Sequence, residues 1–352
     1  MAEKVFKVAV IGCGLIGPAH IDSYSRNPHA DLVAICDKDP IWAAYIKDKF
    51  GVKYTCTDYH DILNDPEIEV VSVCVPNNMH AQITIDALLA GKHVLCEKPM
   101  AISAKQGRKM IEARDKSGRQ LMIGQNQRFI PAVYRMKKMF ENGEYGDVYH
   151  IRTGWKRPLG QMPSPEDTRE NGQIVDRNWY NDKSLHGGVL RDLGVHLLDL
   201  AMYVTGFPKF KEATACAYRK FQPLLSDDQR KKYNFTSEDL VSTLIKFENG
   251  MSIDLEVSFA STISHEELFT NIYGTKAGTE RFEDDMTLIS TDDGFHYTQE
   301  KLDLSSEPAY HHTSTQFINA LLKGEEAPVK PEEALKVLEI LDEIYKSSGF
   351  TQ

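Results

Sequence analysis

Short runs of almost entirely apolar residues alternate with amphipathic stretches along the first 125 residues of the chain. The apolar runs lie at 5–12, 32–36, 70–74, 93–97 and 120–124. Between two of them, residues 81–91 (AQITIDALLAG) place apolar side chains at helical spacing and end on a glycine. Strands that are apolar on both faces are typical of a parallel sheet covered by helices. This pattern predicts a doubly wound α/β domain.

The pattern changes near residue 128, which predicts two domains, residues 1–127 and 128–352. Residues 239–260 alternate apolar and polar side chains on both sides of Asn249-Gly250, which predicts an antiparallel hairpin. The other predicted elements are a strand at 147–155, a long loop at 158–183, and helices at 131–143, 187–205, 311–323 and 332–347. The second domain is therefore predicted to be α+β, with a mostly antiparallel sheet.

The composition fits a globular protein and argues against several classes of partner. The chain has 352 residues, a net charge of −10 and a pI near 5.7, so a broad basic surface for nucleic acid is not expected. No apolar run approaches the length of a membrane span. The six cysteines form no CxxC pair, and dispersed thiols suit a reducing compartment. We therefore expect a cytoplasmic protein that binds neither membranes nor nucleic acid.

A glycine-rich turn follows the first predicted strand. Gly12, Gly14 and Gly17, with Leu15 and Ile16 between the last two, form a G-x-G-x-x-G pattern between a strand and a helix. The first glycine permits the tight turn, the second lets a pyrophosphate approach the backbone, and the third allows close helix–strand packing. The helix N-terminus then offers N–H groups and a partial positive charge to phosphates. The turn predicts a dinucleotide-binding site.

An acidic residue stands where the ribose of such a dinucleotide is bound. Asp37 ends the second predicted strand and can accept hydrogen bonds from the ribose hydroxyls. A carboxylate there repels a 2′-phosphate, so we expect NAD rather than NADP, although the neighbouring Lys38 weakens this preference. The alternative is a structural turn followed by an incidental aspartate.

Two loops follow predicted strands at the edge where open α/β sheets bind ligands. The first carries Pro76, Asn77 and His80, and the second carries Glu97 and Lys98. A polar turn before a helix explains the first loop as well as a cofactor contact does. Lys98 stands between a buried strand and a proline, where a surface charge is a poor explanation. Its ammonium group is suited to bind a substrate hydroxyl and ease its deprotonation.

Residues 187–201 (GGVLRDLGVHLLDLA) combine a largely apolar helix with three ionisable side chains on one face. Asp192, His196 and Asp199 are spaced i, i+4 and i+7. Carboxylates one turn away on either side tune the pKa of a histidine and fix its tautomer, which suits proton transfer. The alternative is a polar face that meets water. One histidine with two aspartates is weak as a zinc site, so no metal is expected.

The chain resembles the glucose-fructose oxidoreductase / inositol dehydrogenase / MocA family over most of its length. The resemblance rests on three motifs in this order: VAVIGCGLIGPAH, CEKPMA and GGVLRDLGVHLLDLA. The resemblance implies an NAD-binding Rossmann domain at 1–127. It also implies a substrate-binding α/β domain at 128–352 with a large open sheet. Because that sheet commonly forms the subunit interface in this family, a homodimer or homotetramer is expected.

The same resemblance implies roles for individual residues. Lys98 matches the lysine of the family's Glu-Lys-Pro motif, and Asp192 and His196 match its D-x-x-x-H pair. His196 is then the general base, while Lys98 and Asp192 orient the hydroxyl and tune the histidine. A cis peptide bond between Lys98 and Pro99 is also implied. The loop near the nicotinamide ribose is matched by Asn77 and His80.

Residues expected to contact the substrate come from three segments. Residues 125–128 (QNQR) take the place of a family segment after the last strand of the Rossmann sheet. Arg128 is expected there to contact cofactor or substrate, and Gln125 to contact substrate although it departs from the family pattern. Trp155 and Arg157 end a strand that should face the pocket, and Trp179 lies in the long loop that should cap it. Ordinary anchoring of loops by aromatic rings is the alternative.

Together these features predict an NAD-dependent dehydrogenase that oxidises a secondary hydroxyl of a sugar, glycoside or cyclitol. The resemblance favours glucose-like rings, for which oxidation at C3 is common in the family. Two alternatives stay open. One is an NAD-dependent glycoside hydrolase of the same family, which oxidises the ring transiently and never consumes NAD. The other is a non-enzymatic regulator that binds a dinucleotide, although the intact Lys98, Asp192 and His196 weigh against it.

Overall fold

The computed structural model describes residues 4–221, 226–308 and 311–350. This part of the chain forms two compact units. The first unit comprises the described residues up to 125 together with 168–173 and 311–338, and the second unit comprises the remaining described residues. Whether 1–127 and 128–352 behave as separate domains stays a prediction.

The sheet of the first unit is wholly parallel. Its strands are β1 (Phe6–Ile11), β2 (Ala30–Cys36), β3 (Tyr54–Cys56), β4 (Val70–Val73), β5 (His93–Cys96) and β6 (Leu121–Ile123). They pair in the order β3-β2-β1-β4-β5-β6. The predicted Rossmann architecture is confirmed, since this is the strand order of dinucleotide-binding sheets. The sequence pattern missed β3, because three half-buried residues are too few to show a period.

Helices accompany the strands of both units, and those predicted at 81–91, 131–143, 311–323 and 332–347 lie within two residues of their predicted bounds. The helices are α1 (Gly17–Ser25), α2 (Pro40–Phe50), α3 (Tyr59–Asn64), α4 (His80–Leu89), α5 (Ala104–Ser117), α6 (Pro131–Glu141), α7 (Val195–Val204), α8 (Asp227–Lys232), α9 (Thr313–Lys323) and α10 (Pro331–Ser348). Asp39 caps the N-terminus of α2, and its carboxylate accepts hydrogen bonds from the N–H groups of Ile41 and Trp42. A membrane span would need a longer or more apolar helix than any in the described ranges.

Eight strands form a mixed, mostly antiparallel sheet in the second unit. They are β7 (Val148–Pro158), β10 (Phe210–Tyr218), β11 (Leu240–Phe247), β12 (Ser252–Ser261), β13 (Glu267–Gly274), β14 (Ala277–Phe282), β15 (Asp285–Ser290) and β16 (Thr298–Lys301). Their order is β10-β11-β12-β7-β13-β14-β15-β16, and β12 pairs with β7 in parallel. The predicted hairpin is confirmed as β11 and β12, with Gly250 at φ 86° in the turn.

The predicted loop at 158–183 has structure of its own. It holds a small hairpin of β8 (Glu166–Thr168) and β9 (Ile174–Asp176), followed by a 3₁₀ turn at Asn178–Tyr180. The predicted helix at 187–205 begins with a π-helical turn at Leu190–Gly194 and continues as α7. Single π-turns inside helices are frequent at functional sites.

Candidate active site

The turn between β1 and α1 has the geometry of a phosphate cradle. Gly12 has a φ of 93°, and a Cβ there would lie 2.3 Å from the carbonyl oxygen of Cys74. A Cβ on Gly17 would lie 2.1 Å from the carbonyl oxygen of Gly12, so the turn and the helix pack too closely for a side chain. A Cβ on Gly14 would meet nothing within 4 Å. Gly14 therefore leaves an open face for a pyrophosphate, and the residues of the turn fit NAD.

Asp37 is fixed at the end of β2 by two backbone N–H groups. Its Oδ2 accepts from the Cys13 N–H at 2.8 Å, and its Oδ1 accepts from the Asp39 N–H at 3.0 Å. The carboxylate is thereby held beside the glycine turn, where a ribose hydroxyl would donate to it. Lys38 and Leu15 are both exposed at this edge of the sheet.

His80 ties the loop after β4 to the loop after β5. Its Nδ1 lies 2.7 Å from the carbonyl oxygen of Pro99, and its Nε2 lies 2.8 Å from that of Val75. Burial lowers the pKa of His80. A neutral imidazole has one N–H, so one of these two contacts is a donated hydrogen bond. Contact of Pro76, Asn77 and His80 with the nicotinamide ribose stays a prediction, and Asn77 is buried.

Glu97 forms a buried hydrogen bond with His20, a histidine to which the sequence motifs assign no role. His20 Nε2 lies 2.9 Å from Glu97 Oε1, and His20 Nδ1 lies 3.1 Å from Ser72 Oγ. Burial alone would raise the pKa of Glu97, but the hydrogen bond and charge of His20 and the charge of Lys98 outweigh burial and lower it. The resulting carboxylate accepts from the Lys98 N–H at 3.3 Å. Glu97 thus anchors the backbone of Lys98.

Lys98 itself is half-buried, and the Lys98–Pro99 peptide bond is cis, as the resemblance implied. His20, which holds Glu97 and through it the backbone of Lys98, follows Gly17 by three residues within the first of the three family motifs. The only sequence feature that pointed to this pair was a histidine on the apolar face of a helix. Its partner Glu97 is 77 residues away in sequence. Spacing along the chain does not reveal such a pair.

Gln125 follows β6 and belongs to the first unit. The residue is only 1% exposed, and its Oε1 has no hydrogen-bond partner among the residues described. An amide oxygen buried without a donor is costly, which makes this atom suitable for a ligand hydroxyl. Its contact with substrate stays a prediction.

Arg128 takes part in an ion pair inside the second unit. Its Nε donates to Asp199 Oδ2 at 2.7 Å, and its Nη2 donates to Asp199 Oδ1 at 2.6 Å. The guanidinium also lies over the rings of Tyr203 and Phe207, at 4.8 Å and 5.1 Å. This two-pronged pair anchors α7 to the 3₁₀ turn at Asn126–Phe129. The structure thus gives Arg128 a positioning role through Asp199, and its contact with cofactor or substrate stays a prediction.

Asp192 and His196 lie on consecutive turns of one helical segment in the second unit. Asp192 is half-buried in the π-helical turn, and His196 is 7% exposed in α7. Asp199, one turn further on, is fully buried in its pair with Arg128. Of the three ionisable side chains predicted on one face, Asp199 therefore anchors the helix. Asp192 and His196 remain the candidates for proton transfer.

A buried glutamate that the sequence analysis missed holds the start of this segment. Glu238 Oε1 accepts from the Leu190 N–H at 3.1 Å and from the Tyr345 hydroxyl at 2.8 Å. Its backbone oxygen accepts from the Val189 N–H at 3.3 Å. Gly188 has a φ of 118°, and a Cβ there would lie 2.4 Å from both carboxylate oxygens. The glycine before the motif's helix therefore makes room for Glu238. Burial raises the pKa of this carboxyl to about 7.

Trp155 lies beside His196 and Arg157 lies over Trp155, while the contact of Trp155 and Arg157 with substrate stays a prediction. The Trp155 and His196 ring centroids are 6.3 Å apart. The Trp155 indole N–H donates to Glu266 Oε1 at 2.5 Å, and the Arg157 guanidinium lies 5.3 Å from the Trp155 ring centroid. This indole is therefore fixed by a carboxylate and a cation, with an imidazole close to it.

Trp179 stacks on Tyr180 in the 3₁₀ turn, with ring centroids 3.7 Å apart. A Cβ on Gly187 would lie 2.3 Å from the Trp179 carbonyl oxygen, so this turn packs directly against the start of the Asp192 segment. A role for Trp179 in capping a pocket stays a prediction. Across the ranges described, histidine, cysteine, aspartate and glutamate side chains form no group of three or more that could hold a metal ion.

Two family models match the chain. Residues 6–125 match an oxidoreductase family with an NAD-binding Rossmann fold. Residues 133–280 match the GFO/IDH/MocA C-terminal domain. The two matches follow one another along the chain, one on each side of residue 128.

The chain is also similar to dehydrogenases whose substrates are known by name. The D-glucoside 3-dehydrogenase of Escherichia coli is 32% identical over 288 residues, which cover 80% of this chain and 78% of that protein. The levoglucosan dehydrogenase of Pseudarthrobacter phenanthrenivorans is 29% identical over 76% of this chain and 71% of its own length. A solved structure of levoglucosan dehydrogenase with NADH and levoglucosan has a TM-score of 0.83 at 23% identity, with 98% of both chains covered. This last likeness shows that the fold is shared.

Proposed function

Because the chain belongs to the GFO/IDH/MocA family of NAD-binding oxidoreductases, we propose that it oxidises a secondary hydroxyl of a sugar, glycoside or cyclitol. The observation that carries this proposal is the placement of His196 next to the fixed indole of Trp155. An indole face suits the apolar face of a sugar ring, and an imidazole suits the proton of its hydroxyl. The glucoside and levoglucosan dehydrogenases among the relatives support the same substrate class.

Each residue of the proton-transfer set has a distinct task in this proposal. His196 takes the proton of the reacting hydroxyl as a general base, and Asp192 tunes and orients it. The Lys98 ammonium, on its anchored backbone, holds the same oxygen and stabilises the negative charge that develops on it. NAD supplies the hydride acceptor when it is bound. The buried Arg128–Asp199 pair keeps α7, and with it His196, in place.

Substrate recognition is assigned to four further side chains. Trp155 covers one face of the ring, while Arg157 and Gln125 bind hydroxyls or a carboxylate, and Trp179 closes the pocket. Support comes from the fixed indole and from the Gln125 oxygen, which lacks a donor within the described residues. We propose C3 of a glucose-like ring as the oxidised carbon, which fits the glucoside 3-dehydrogenase among the relatives.

A substrate panel tests the proposed reaction. The purified protein and NAD⁺ are mixed with glucose, glucosides, inositols and sugar acids, and NADH fluorescence is followed. We expect NADH to form with one compound class. If NAD binds but no NADH forms across the panel, the dehydrogenase proposal is wrong. Release of an aglycone without net NADH would then identify the NAD-retaining hydrolase, and neither signal would favour the regulator.

Two alanine variants test the assigned roles. His196→Ala and Lys98→Ala are each expected to lower kcat by at least about 100-fold, as is usual when a general base or an oxyanion partner is lost. NADH affinity, measured by fluorescence titration, should stay unchanged. His296→Ala is the control, because His296 is an exposed histidine of the second unit. Full turnover in either test variant would contradict the roles.

We also propose that the protein is cytoplasmic and assembles as a homodimer or homotetramer through the sheet of the second unit. All six cysteines lie in the described ranges and are free of disulfides, which suits a reducing compartment. Several large aromatic side chains are exposed on strands β7 and β14 and in the loop that joins β15 to β16, which supports an interface on this sheet. They are Tyr149, Phe282, Phe295 and Tyr297.

A further inference from the structure

The last residue of β8 and the turn that joins it to β9, residues 168–173, belong to the first unit and contact the start of α2. We refer to residues 168–173 as the hairpin tip. Arg169 Nη1 lies 2.8 Å from Asp39 Oδ2, and the Arg169 guanidinium lies 4.5 Å from the Trp42 ring centroid. Gln173 Nε2 donates to the same oxygen of Asp39 at 3.3 Å. Arg169 therefore combines an ion pair with a cation–π contact, each of which is worth more for a planar guanidinium than for an ammonium.

The contacts of the hairpin tip continue along one face of α2. Glu170 Oε2 accepts from the Tyr45 hydroxyl at 3.0 Å and from Lys49 Nζ at 2.5 Å. Asp39, Trp42, Tyr45 and Lys49 recur at helical spacing, so they form one continuous stripe. The side chains of Arg169 and Asp39 are 12% and 26% exposed, so their pair is shielded more than an ordinary surface pair is.

The part of α2 that the hairpin tip contacts is directly connected to the NAD site. Asp39 stands two residues after Asp37, and its N–H donates to the Asp37 carboxylate. The Trp42 indole N–H donates to the carbonyl oxygen of Cys13 at 2.5 Å. Cys13 is the residue between the first two glycines of the phosphate turn. The Arg169 guanidinium thus rests on a side chain that is hydrogen-bonded to that turn.

We propose that the hairpin tip forms the outer wall of the NAD site at its adenosine-ribose end, and that Arg169 fastens it there and slows the release of NAD. Arg169 also offsets the charge of Asp39. Without it, a second carboxylate with no paired cation would stand beside Asp37, close to where the anionic pyrophosphate binds. Loss of Arg169 therefore both loosens the wall and adds repulsion to the cofactor.

Stopped-flow measurement of NADH release tests this proposal, and it requires no sugar substrate. NADH is preloaded and displaced with excess NAD⁺ for the wild type and for Arg169→Ala. We expect release to be about tenfold faster in the variant, with a smaller change for Arg169→Lys, which keeps the charge but loses the planar group. Because the readout is cofactor release alone, the outcome is independent of whether the proposed dehydrogenase activity is correct.

Arg177→Ala is the matched control. Arg177 belongs to the same small hairpin but pairs with Asp167, at 2.5 Å, in the second unit. Its loss should leave NADH release unchanged. If Arg169→Ala fails to fold, Glu170→Gln removes the charge that pairs with Lys49 and so weakens the hold on the other end of the hairpin tip. Release should then be about twofold to fivefold faster, since only one partly exposed pair is weakened. An unchanged release rate in the folded variants, or an equal change in Arg177→Ala, overturns the proposal.

Discussion

Single residues in this protein show how buried charge is stabilised near a reaction site. Arg128 and Asp199 satisfy each other with two short hydrogen bonds, and His20 and Glu97 form a second buried pair. Neither Arg128 nor His20 needs to touch a ligand to matter, because each fixes an element that carries a proposed reacting group. Removal of either partner of the Arg128–Asp199 pair leaves the other charge buried and uncompensated, which is strongly destabilising.

Glu238 has a buried carboxyl that makes stability depend on pH. Its pKa is raised from 4.5 to about 7, mainly by burial, against the opposing hydrogen bonds from Leu190 and Tyr345. Between these two values the unfolded chain releases the proton while the folded protein keeps it. Glu238 therefore contributes most to the free energy of unfolding below pH 4.5. As the pH rises to 7 the protein loses this contribution, which is about 3 kcal/mol.

The variant Glu238→Gln cannot ionise and keeps an oxygen that can accept from Leu190 and Tyr345. We expect the difference in free energy of unfolding between this variant and the wild type to shift by about 2–3 kcal/mol in favour of the variant as the pH rises from 5 to 7.5. Urea unfolding at several pH values measures this difference. Glu300→Gln, at an exposed glutamate of β16, is the control and should show no such trend. A constant difference for Glu238→Gln would disprove the pH dependence.

At the scale of elements, the glycines of the turn between β1 and α1 serve two different needs. One glycine is needed for folding and another for cofactor binding. Gly12 is required by the fold, because its φ is positive and its Cβ would strike the backbone of Cys74. Gly14 has open space where a Cβ would be, so the fold does not require it. Gly14 is needed because a side chain there would block the approach of the pyrophosphate.

Alanine substitution at these two glycines distinguishes the functions. Gly14→Ala should unfold at the same temperature as the wild type but bind NADH at least about tenfold more weakly, because its methyl group occupies the cofactor's approach. Gly12→Ala should lose about 2 kcal/mol or more of stability, because a strained backbone and a steric clash add together. Thermal unfolding and NADH titration of both variants measure these effects. Normal NADH affinity in Gly14→Ala would show that the cradle is assigned wrongly.

The sequence predicted elements well where a period extends over many residues, as in the β11–β12 hairpin and the helices of both units. Motifs with fixed spacing also predicted the turn at Gly12 and the place of Asp37 beside it, while the roles of Lys98 and His196 stay predictions. Three contributions could not be predicted: the Glu97–His20 pair, the Glu238 anchor and the contact of Arg169 with α2. Each joins residues far apart in sequence, and a polar side chain carries no mark of the partner it will meet after folding.

For the whole molecule, the open sheet of the second unit leads to a prediction about assembly. The loop that joins β15 to β16 exposes aromatic side chains, with Phe295 at 90% and Tyr297 at 68%. Tyr297 lines one groove together with Tyr149 and Ile289, and an exposed apolar groove of this kind is typical of an interaction site. Light scattering after size exclusion should give the mass of two or four copies of the 39.8 kDa chain. Tyr297→Asp should shift the protein towards smaller species, whereas a monomeric wild type would refute the proposed assembly.

The first unit contains a segment from near the end of the chain, and this affects how the protein is made. Helix α9 packs on α1 through Ser23 and Thr315, whose hydroxyl oxygens are 3.0 Å apart, and through the rings of His20 and His312. The N–H of Ile123 in β6 donates to the carbonyl oxygen of Val329. On a ribosome, residues 126–310 must be synthesised before these partners exist, which takes about 10–40 s. Through that interval the nascent NAD-binding sheet lacks part of its cover. Chaperones that bind exposed apolar surface then have their longest access to the part of the protein that is synthesised first.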